Sequence, residues 1–425
     1  MISEKTSQKI TGIFLIIIMI LGYTWGQGYK FADEMFESVI ADVKTEKIIS
    51  KHLHTNNEKD VNTMELRAKN KDGKIIPPYS TIANDFNSNL PFKNEMLTLN
   101  SHLLKRLNLR EVYRTNGGVV LPNGYVAGVY PYTSTEYETK QIEDFKLFLD
   151  SNQIQLLYVN KPTKYVDDSY LMETMGISTY INDNSNRFLE KLDLLDIKYL
   201  DLREQMSDQS SFNYFFRTDH HWTVPAGKLA ATSIAKKLNN EFGYNIDLSL
   251  YDDEAFVYKE YRNAWLGEQG KKIGIPFVGL DDYVSIIPNY PTSFNRFTGD
   301  RTITGTFEEA LVNQNVYLPE NNQNPQNASS WHYSYLGNNG RIQNNNNTDG
   351  KKILIIGDSY DAVTNAFLAL GVSEVQGLIL RNFSGNLRDF IKNNDFDTVI
   401  ISYAAIMLGA HDNENSANYK MFDFE

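Results

Sequence analysis

The stretch from Lys351 to Leu368, KKILIIGDSYDAVTNAFL, constrains the fold more than any other part of this 425-residue chain. An apolar run of β-formers that stops at Gly-Asp-Ser and gives way to a helical pattern reads as buried strand, tight turn and helix. The pattern then repeats: VQGLIL is a strand, Asn386 to Asn394 a helix, and DTVIISYA a further strand. Upstream, Thr139 to Asp150 and Asn184 to Leu195 read as helices, and Gln155 to Asn160 and Lys198 to Leu202 as strands. Strands buried on both faces and separated by helices build a parallel sheet covered on each side. We therefore expect a three-layer α/β/α domain over residues 111–425 with a central, mostly parallel sheet. The tyrosine- and asparagine-rich stretch at about 241–350 breaks the alternation and reads as an insertion. Asn116 to Tyr130 resembles a hairpin, with glycines and asparagines between short β-type runs.

The N-terminus carries a different signal. Behind Lys5 and Lys9 lies ITGIFLIIIMILGYTW, Ile10 to Trp25, an uncharged run close to the ~20 apolar residues that cross a bilayer. No small-x-small cleavage site follows it, so it is read as an uncleaved transmembrane anchor rather than a signal peptide. The preceding lysines place the N-terminus in the cytoplasm and the rest outside, giving a single-pass protein of the cell membrane. Residues 1–27 are then tip and anchor, and 28–110 a stalk and linker, in which Phe31, Met35, Val39 and Val43 recur at four-residue spacing. The chain has no cysteine, which excludes disulfides, thiolate catalysis and cysteine metal sites, and its net charge of −12 opposes binding to nucleic acid.

Two motifs carry chemistry. Ser359 sits at a strand-to-helix turn, where open α/β sheets place their ligands and where the N–H groups of a starting helix are free to stabilise an oxyanion. Gly-Asp-Ser alone is also ordinary turn and capping sequence. The second motif is FFRTDHHWT, Phe215 to Thr223, which sets two of the seven histidines beside an aspartate just before a helix that Thr223 caps and Pro225 opens. A serine nucleophile needs a base, and that base is usually oriented by a carboxylate. In an extended segment residues two apart share a face, so Asp219 orients His221, and His220 points elsewhere. The other histidines, His52, His54, His102, His332 and His411, have no carboxylate at this spacing. Asp219-His220-His221 also matches the Asp-His-His of manganese phosphoesterases, but no Asp-x-Asp follows a good strand upstream, and we expect neither metal nor cofactor.

FRTDHHWTVPAG, together with YSYLGNNGRI, KKILIIGDSYDAVTNAFLAL, the arginine of LILRNF and DTVIISY, resembles the DHHW family of bacterial surface proteins. That family is similar to the SGNH hydrolase-like domains of alginate O-acetylation proteins, and the resemblance runs from about Tyr113 to Ala405. It implies an SGNH/GDSL-like fold, a triad of Ser359, His221 and Asp219, and Arg381, Tyr403 and Tyr360 as substrate-pocket residues. It further implies O-acetyl transfer to, or acetyl-ester hydrolysis on, a surface polysaccharide or other hydroxyl acceptor. A membrane-bound acyltransferase is the implied acyl donor. This chain has Gly357 where relatives commonly have lysine, Asp361-Ala362 where they have Ala-Asn, and Ile379 where they have an acid. The rival readings are an inactive glycan-binding or assembly protein and a metal-dependent phosphoesterase.

Overall fold

In the computed structural model the described residues are 68–69, 75–76, 93–113, 118–206, 211–318, 325, 330–338, 340–414 and 416–425. The apolar run Ile10 to Trp25 and the stalk helix lie outside them; among the described residues no helix is long and apolar enough to cross a membrane. The chain divides into two compact units, Met1–Met96 and Leu97–Glu425. In the first, Ala68–Lys69 pairs antiparallel with Ile75–Ile76.

The second unit is built on an eight-stranded sheet. Its strands in chain order are β1 (Gln155–Lys161), β2 (Tyr199–Asp201), β3 (Phe294–Thr298), β4 (Arg301–Gly305), β5 (Gly340–Asn344), β6 (Lys352–Gly357), β7 (Glu374–Leu378) and β8 (Thr398–Ala404). They lie side by side in the order β4-β3-β5-β7-β6-β8-β1-β2. The five strands from β7 to β2 are parallel, whereas β4, β3 and β5 join through antiparallel pairings that end on β7. The sheet is thus mixed: its five-stranded part is parallel as expected, and the antiparallel arm is an addition that the expectation lacked. The added arm comes from the presumed insertion, whose strands FNRFT, RTITG and GRIQN carry too few apolar residues to announce a place in a central sheet.

Alternation along the central strands sorts their side chains into two cores. In β8, Val399, Ile401 and Tyr403 enter one, with the helices α1 (Glu136–Ser151) and α2 (Ile181–Leu194), while Ile400 and Ala404 enter the other. That second core is closed by α3 (Val224–Glu241) and α4 (Asp361–Leu368), so helices cover both faces. Thr223 caps α3 by accepting from Ala226 N–H, as its position before Pro225 predicts. Where α3 crosses α4, a Cβ on Gly227 would lie 2.5 Å from Val363 Cγ1, so glycine sets how closely the helices approach. The hairpin read near Asn116 is present, with Gly118–Val120 paired to Val126–Ala127.

Candidate active site

Strand β6 ends at Gly357, and Asp358, Ser359 and Tyr360 form the turn into α4. A buried charge cluster fastens this turn. Lys161, the last residue of β1, holds its Nζ 2.7 Å from Asp358 Oδ1 and 2.6 Å from Asp361 Oδ2, and none of the three side chains is exposed by more than 1%. Asp358 also accepts from the N–H groups of Tyr360 (3.0 Å) and Ala404 (2.7 Å). Asp361 accepts from Asp358 N–H (3.0 Å) and the Ser402 hydroxyl (2.8 Å). The carboxyl ends of β1, β6 and β8 are thereby tied at one point directly beneath Ser359. Burial pushes the Asp361 carboxyl up to about 6, against the Lys161 charge that lowers it. A Cβ on Gly357 would fall 2.1 Å from Asp361 Oδ2, so no larger side chain fits there while Asp361 stays on Lys161.

The histidine motif folds as a tight loop closed by the Phe215–Trp222 bridge and by Phe216 N–H donating to His221 O at 3.1 Å. Asp219 and His221 meet through this turn, not through the strand alternation expected of an extended segment. Asp219 Oδ1 accepts from His221 N–H at 3.1 Å, the aspartate-to-second-residue bond of an Asx turn, and lies 2.6 Å from His221 Nδ1. On the far side of the ring, His221 Nε2 is 2.7 Å from Ser359 Oγ. The three residues are 0%, 1% and 8% exposed in the order Asp219, His221 and Ser359.

Residues from the insertion brace the loop. Glu268 N–H donates to Asp219 Oδ2 at 2.7 Å and Gly267 N–H to Thr218 Oγ1 at 2.7 Å, while the Asp281 carboxylate accepts from Arg217 N–H (2.5 Å) and Thr218 N–H (2.9 Å). Two more bonds stitch the motifs together: Trp222 Nε1 donates to Tyr360 O at 3.1 Å, and the Tyr360 hydroxyl donates to His220 O.

Burial alone would raise the Asp219 carboxyl, but His221 and His220, with the bonds from the His221 ring and Glu268 N–H, hold it well below the usual carboxylate range. Burial, reinforced by His220, lowers His221 to about 4 against the pull of Asp219. At neutral pH the aspartate is charged and the imidazole neutral. Its Nδ1–H then points at Asp219, and the Nε2 lone pair faces the Ser359 hydroxyl, the arrangement in which an imidazole accepts a serine proton.

Asp219, His220 and His221 each bring a ligand-type atom within 4.8 Å of the others. Both nitrogens of His221 are nevertheless engaged, and the 2.6 Å between its Nδ1 and Asp219 Oδ1 is a hydrogen-bond separation. The donor set fits a proton relay better than an ion.

The residues expected to line the pocket divide. Arg381, partly exposed in the turn after β7, donates from Nη1 to Asn418 Oδ1 at 2.6 Å, and its charge acts on the Tyr333 phenol. Tyr403 is a correction: strand parity turns it into the α1–α2 core, fully buried, with its hydroxyl donated to Met421 O. Tyr360, 1% exposed and with its hydroxyl donated to His220 O, lines a small cavity with His220 and Lys164. His220 does not point away from its neighbour; its ring centroid lies 3.8 Å from that of His221. Three residues carry a role that the sequence did not assign them. Lys161 had a legible signal, a lysine closing the apolar run QLLYVNK. His332 lacked a carboxylate at the Asp-x-His spacing and Tyr333 only opens the block YSYLGNNGRI, 27 and 26 residues before the serine, yet His332 Nε2 sits 2.6 Å from Ser359 O and the half-exposed Tyr333 hydroxyl lies against the Ser359 side chain.

Residues 133–259 match the sequence family described as SGNH hydrolase-like domain, acetyltransferase AlgX, a span that includes Asp219 and His221 and ends before Ser359. No curated protein matches the chain. Among solved structures, a DHHW family protein from Eubacterium siraeum is similar at 17% identity and TM-score 0.55, covering 72% of this chain and 96% of that one. Bacillus cereus PatB1 with a sulfonyl adduct is similar at 18% identity and TM-score 0.57, covering 73% and 99%. At these identities the likeness is one of fold. The resemblance read from the motifs is thus met by both kinds of comparison.

Proposed function

For a chain with an SGNH hydrolase-like domain, we propose acyl-ester chemistry at Ser359: O-acetyl transfer to a hydroxyl of a surface polysaccharide, with hydrolysis when water takes the acceptor's place. The observation that carries the reading is the unbroken line Asp219 Oδ1, His221 Nδ1, His221 Nε2, Ser359 Oγ, with steps of 2.6 and 2.7 Å on either side of the ring.

In this mechanism Ser359 Oγ attacks the acyl carbonyl while its proton passes to His221 Nε2. Asp219 keeps the other ring nitrogen protonated and stabilises the imidazolium. The Ser359 N–H, which has no acceptor among the described residues, is the backbone donor for the oxyanion. Collapse of the tetrahedral intermediate breaks the bond to the donor oxygen, which leaves with the His221 proton, and an acyl-Ser359 ester remains. The acceptor hydroxyl then gives its proton to His221 and attacks that ester, and Ser359 recovers its hydrogen as the new ester departs. The net change is one acyl ester exchanged for another. Support for acetyl transfer comes from the family match and for a polysaccharide acceptor from the motif resemblance, and we place the domain outside a cell membrane on the strength of the Ile10 to Trp25 run.

The test is a serine-directed fluorophosphonate. Labelling at Ser359 that vanishes in Ser359→Ala and His221→Ala, with the fold intact, is the expected result. Absence of labelling in the wild type, alongside retained glycan binding, overturns the enzyme reading in favour of a binding protein.

A further inference from the structure

We propose, resting on the reading of Ser359 and His221 above, that His332 is a positioning residue for both: an Nε2–H imidazole that holds the nucleophile's own carbonyl and shields one face of the base. His332 lies in the short turn Trp331–Ser334 and is 1% exposed. Its Nε2 is 2.6 Å from Ser359 O. A carbonyl only accepts, so this nitrogen bears the hydrogen. A neutral imidazole has one N–H, which leaves Nδ1 as a bare lone pair, and Nδ1 is buried without a hydrogen-bond partner. A proton added there would meet no acceptor; burial, then the nearby His221, lowers the group to about 3.

The same ring is stacked on His221, with centroids 3.7 Å apart and planes 11° from parallel. When His221 takes the serine proton, the resulting imidazolium faces an uncharged π-surface, not a second cation, and water is kept from that side. The bond to Ser359 O acts on the other partner. Ala362 N–H reaches that oxygen only at 3.4 Å, so the imidazole is the shorter of its two restraints and fixes the peptide from which the nucleophile projects. One side chain therefore sets the mutual placement of alcohol and base. It reaches them from the insertion, outside both sequence motifs.

Two variants separate the two roles, read as the pH dependence of Ser359 labelling by a fluorophosphonate. His332→Gln keeps an amide donor and removes the ring. We expect its acid limb to move up by at least about one pH unit toward the ordinary histidine value of ~6.5, because water then reaches a face of His221. His332→Phe keeps the ring and removes the donor. We expect its limb to stay in place while the plateau rate falls about 10-fold or more, the consequence of a loosened carbonyl. Wild-type limbs and plateaus in both variants overturn the proposal, as does an equal loss of plateau with no displaced limb, the mark of generic packing damage. If either variant fails to fold, ¹⁵N-histidine spectra of the wild type decide. An Nε2–H tautomer at His332 that does not titrate between pH 8 and 5 supports the assignment, and an Nδ1–H tautomer or a titration near 6.5 overturns it. A wild type that never labels defeats the Ser359 reading and leaves this tautomer to be decided by the spectra.

Discussion

Lys161→Met removes the ammonium that Asp358 and Asp361 share while keeping most of the side-chain volume. In the wild type that ammonium lies 2.7 and 2.6 Å from the two carboxylates, with all three groups out of solvent. Removing one partner of a buried ion pair costs ~3–5 kcal/mol, because the remaining charge is left in low dielectric without compensation. Both carboxylates here keep donors from Tyr360, Ala404, Asp358 and Ser402, which places the expected loss near the lower end, about 3 kcal/mol at pH 8. The pH dependence is the sharper part. Burial already raises Asp361 to about 6 from an ordinary 3.8, and Lys161 works against that rise. Without the lysine the folded value climbs further, so between roughly pH 4 and somewhat above 6 the folded variant binds a proton that the unfolded chain does not. A group raised in this way contributes stability that is lost as pH increases through its folded value. The variant should therefore suffer most at pH 8 and recover part of the difference at pH 5. Urea denaturation of wild type and variant at both pH values measures this directly. A loss below about 1 kcal/mol at pH 8, or equal losses at the two pH values, would refute the argument that this cluster is a compensated buried charge.

Other outcomes follow from the same geometry. Asp219→Asn should leave the loop folded yet reduce labelling of Ser359 by about 10³–10⁴-fold, since an amide cannot hold the Nδ1–H tautomer; a loss under tenfold contradicts the orienting role. Because burial lowers His221 to about 4, its basic form persists above that value, and the wild-type rate should fall only as pH drops through about 4. An acid limb near 6.5 would show that the imidazole is solvated. Gly357→Ala sets a Cβ 2.1 Å from Asp361 Oδ2, so both thermal stability and labelling should drop, and unchanged melting would mean that the turn relaxes freely. Tyr360→Phe deletes the hydroxyl bonded to His220 O, for an expected destabilisation of about 1–2 kcal/mol by urea titration. Chelators should leave the labelling rate untouched, because no step of the proposed relay requires an ion.

How much of this was legible depended on whether local sequence decided the outcome. The strands around Leu354, Ile400 and Leu157 are buried on both faces, and their apolar runs show it. Thr223 and Pro225 marked the start of α3 for the same local reason. The Asp219–His221 pairing was read correctly for an incorrect reason, since the bend over Arg217–His220 and not an extended strand brings the two side chains together. Tyr403 looked available because strand ends usually are, but parity and a hydroxyl bond to Met421 O commit it elsewhere. His332 and Lys161 act on the nucleophile over separations of 27 and about 200 residues, distances at which no spacing rule operates. The sheet arm β4-β3-β5 was hidden because its polar strands owe their place to edge pairing more than to burial.

The braces drawn from residues 241–350 bear on how such a chain tolerates change in length. From three separate points along that stretch, Gly267-Glu268 and Asp281 hold the histidine loop and His332 the serine turn. Pruning it to a minimal scaffold would keep the alcohol and the imidazole and discard what aims them. Natural length variation should accordingly gather at the hairpin tip between Thr298 and Arg301, where chain can be gained or shed without disturbing the anchor points.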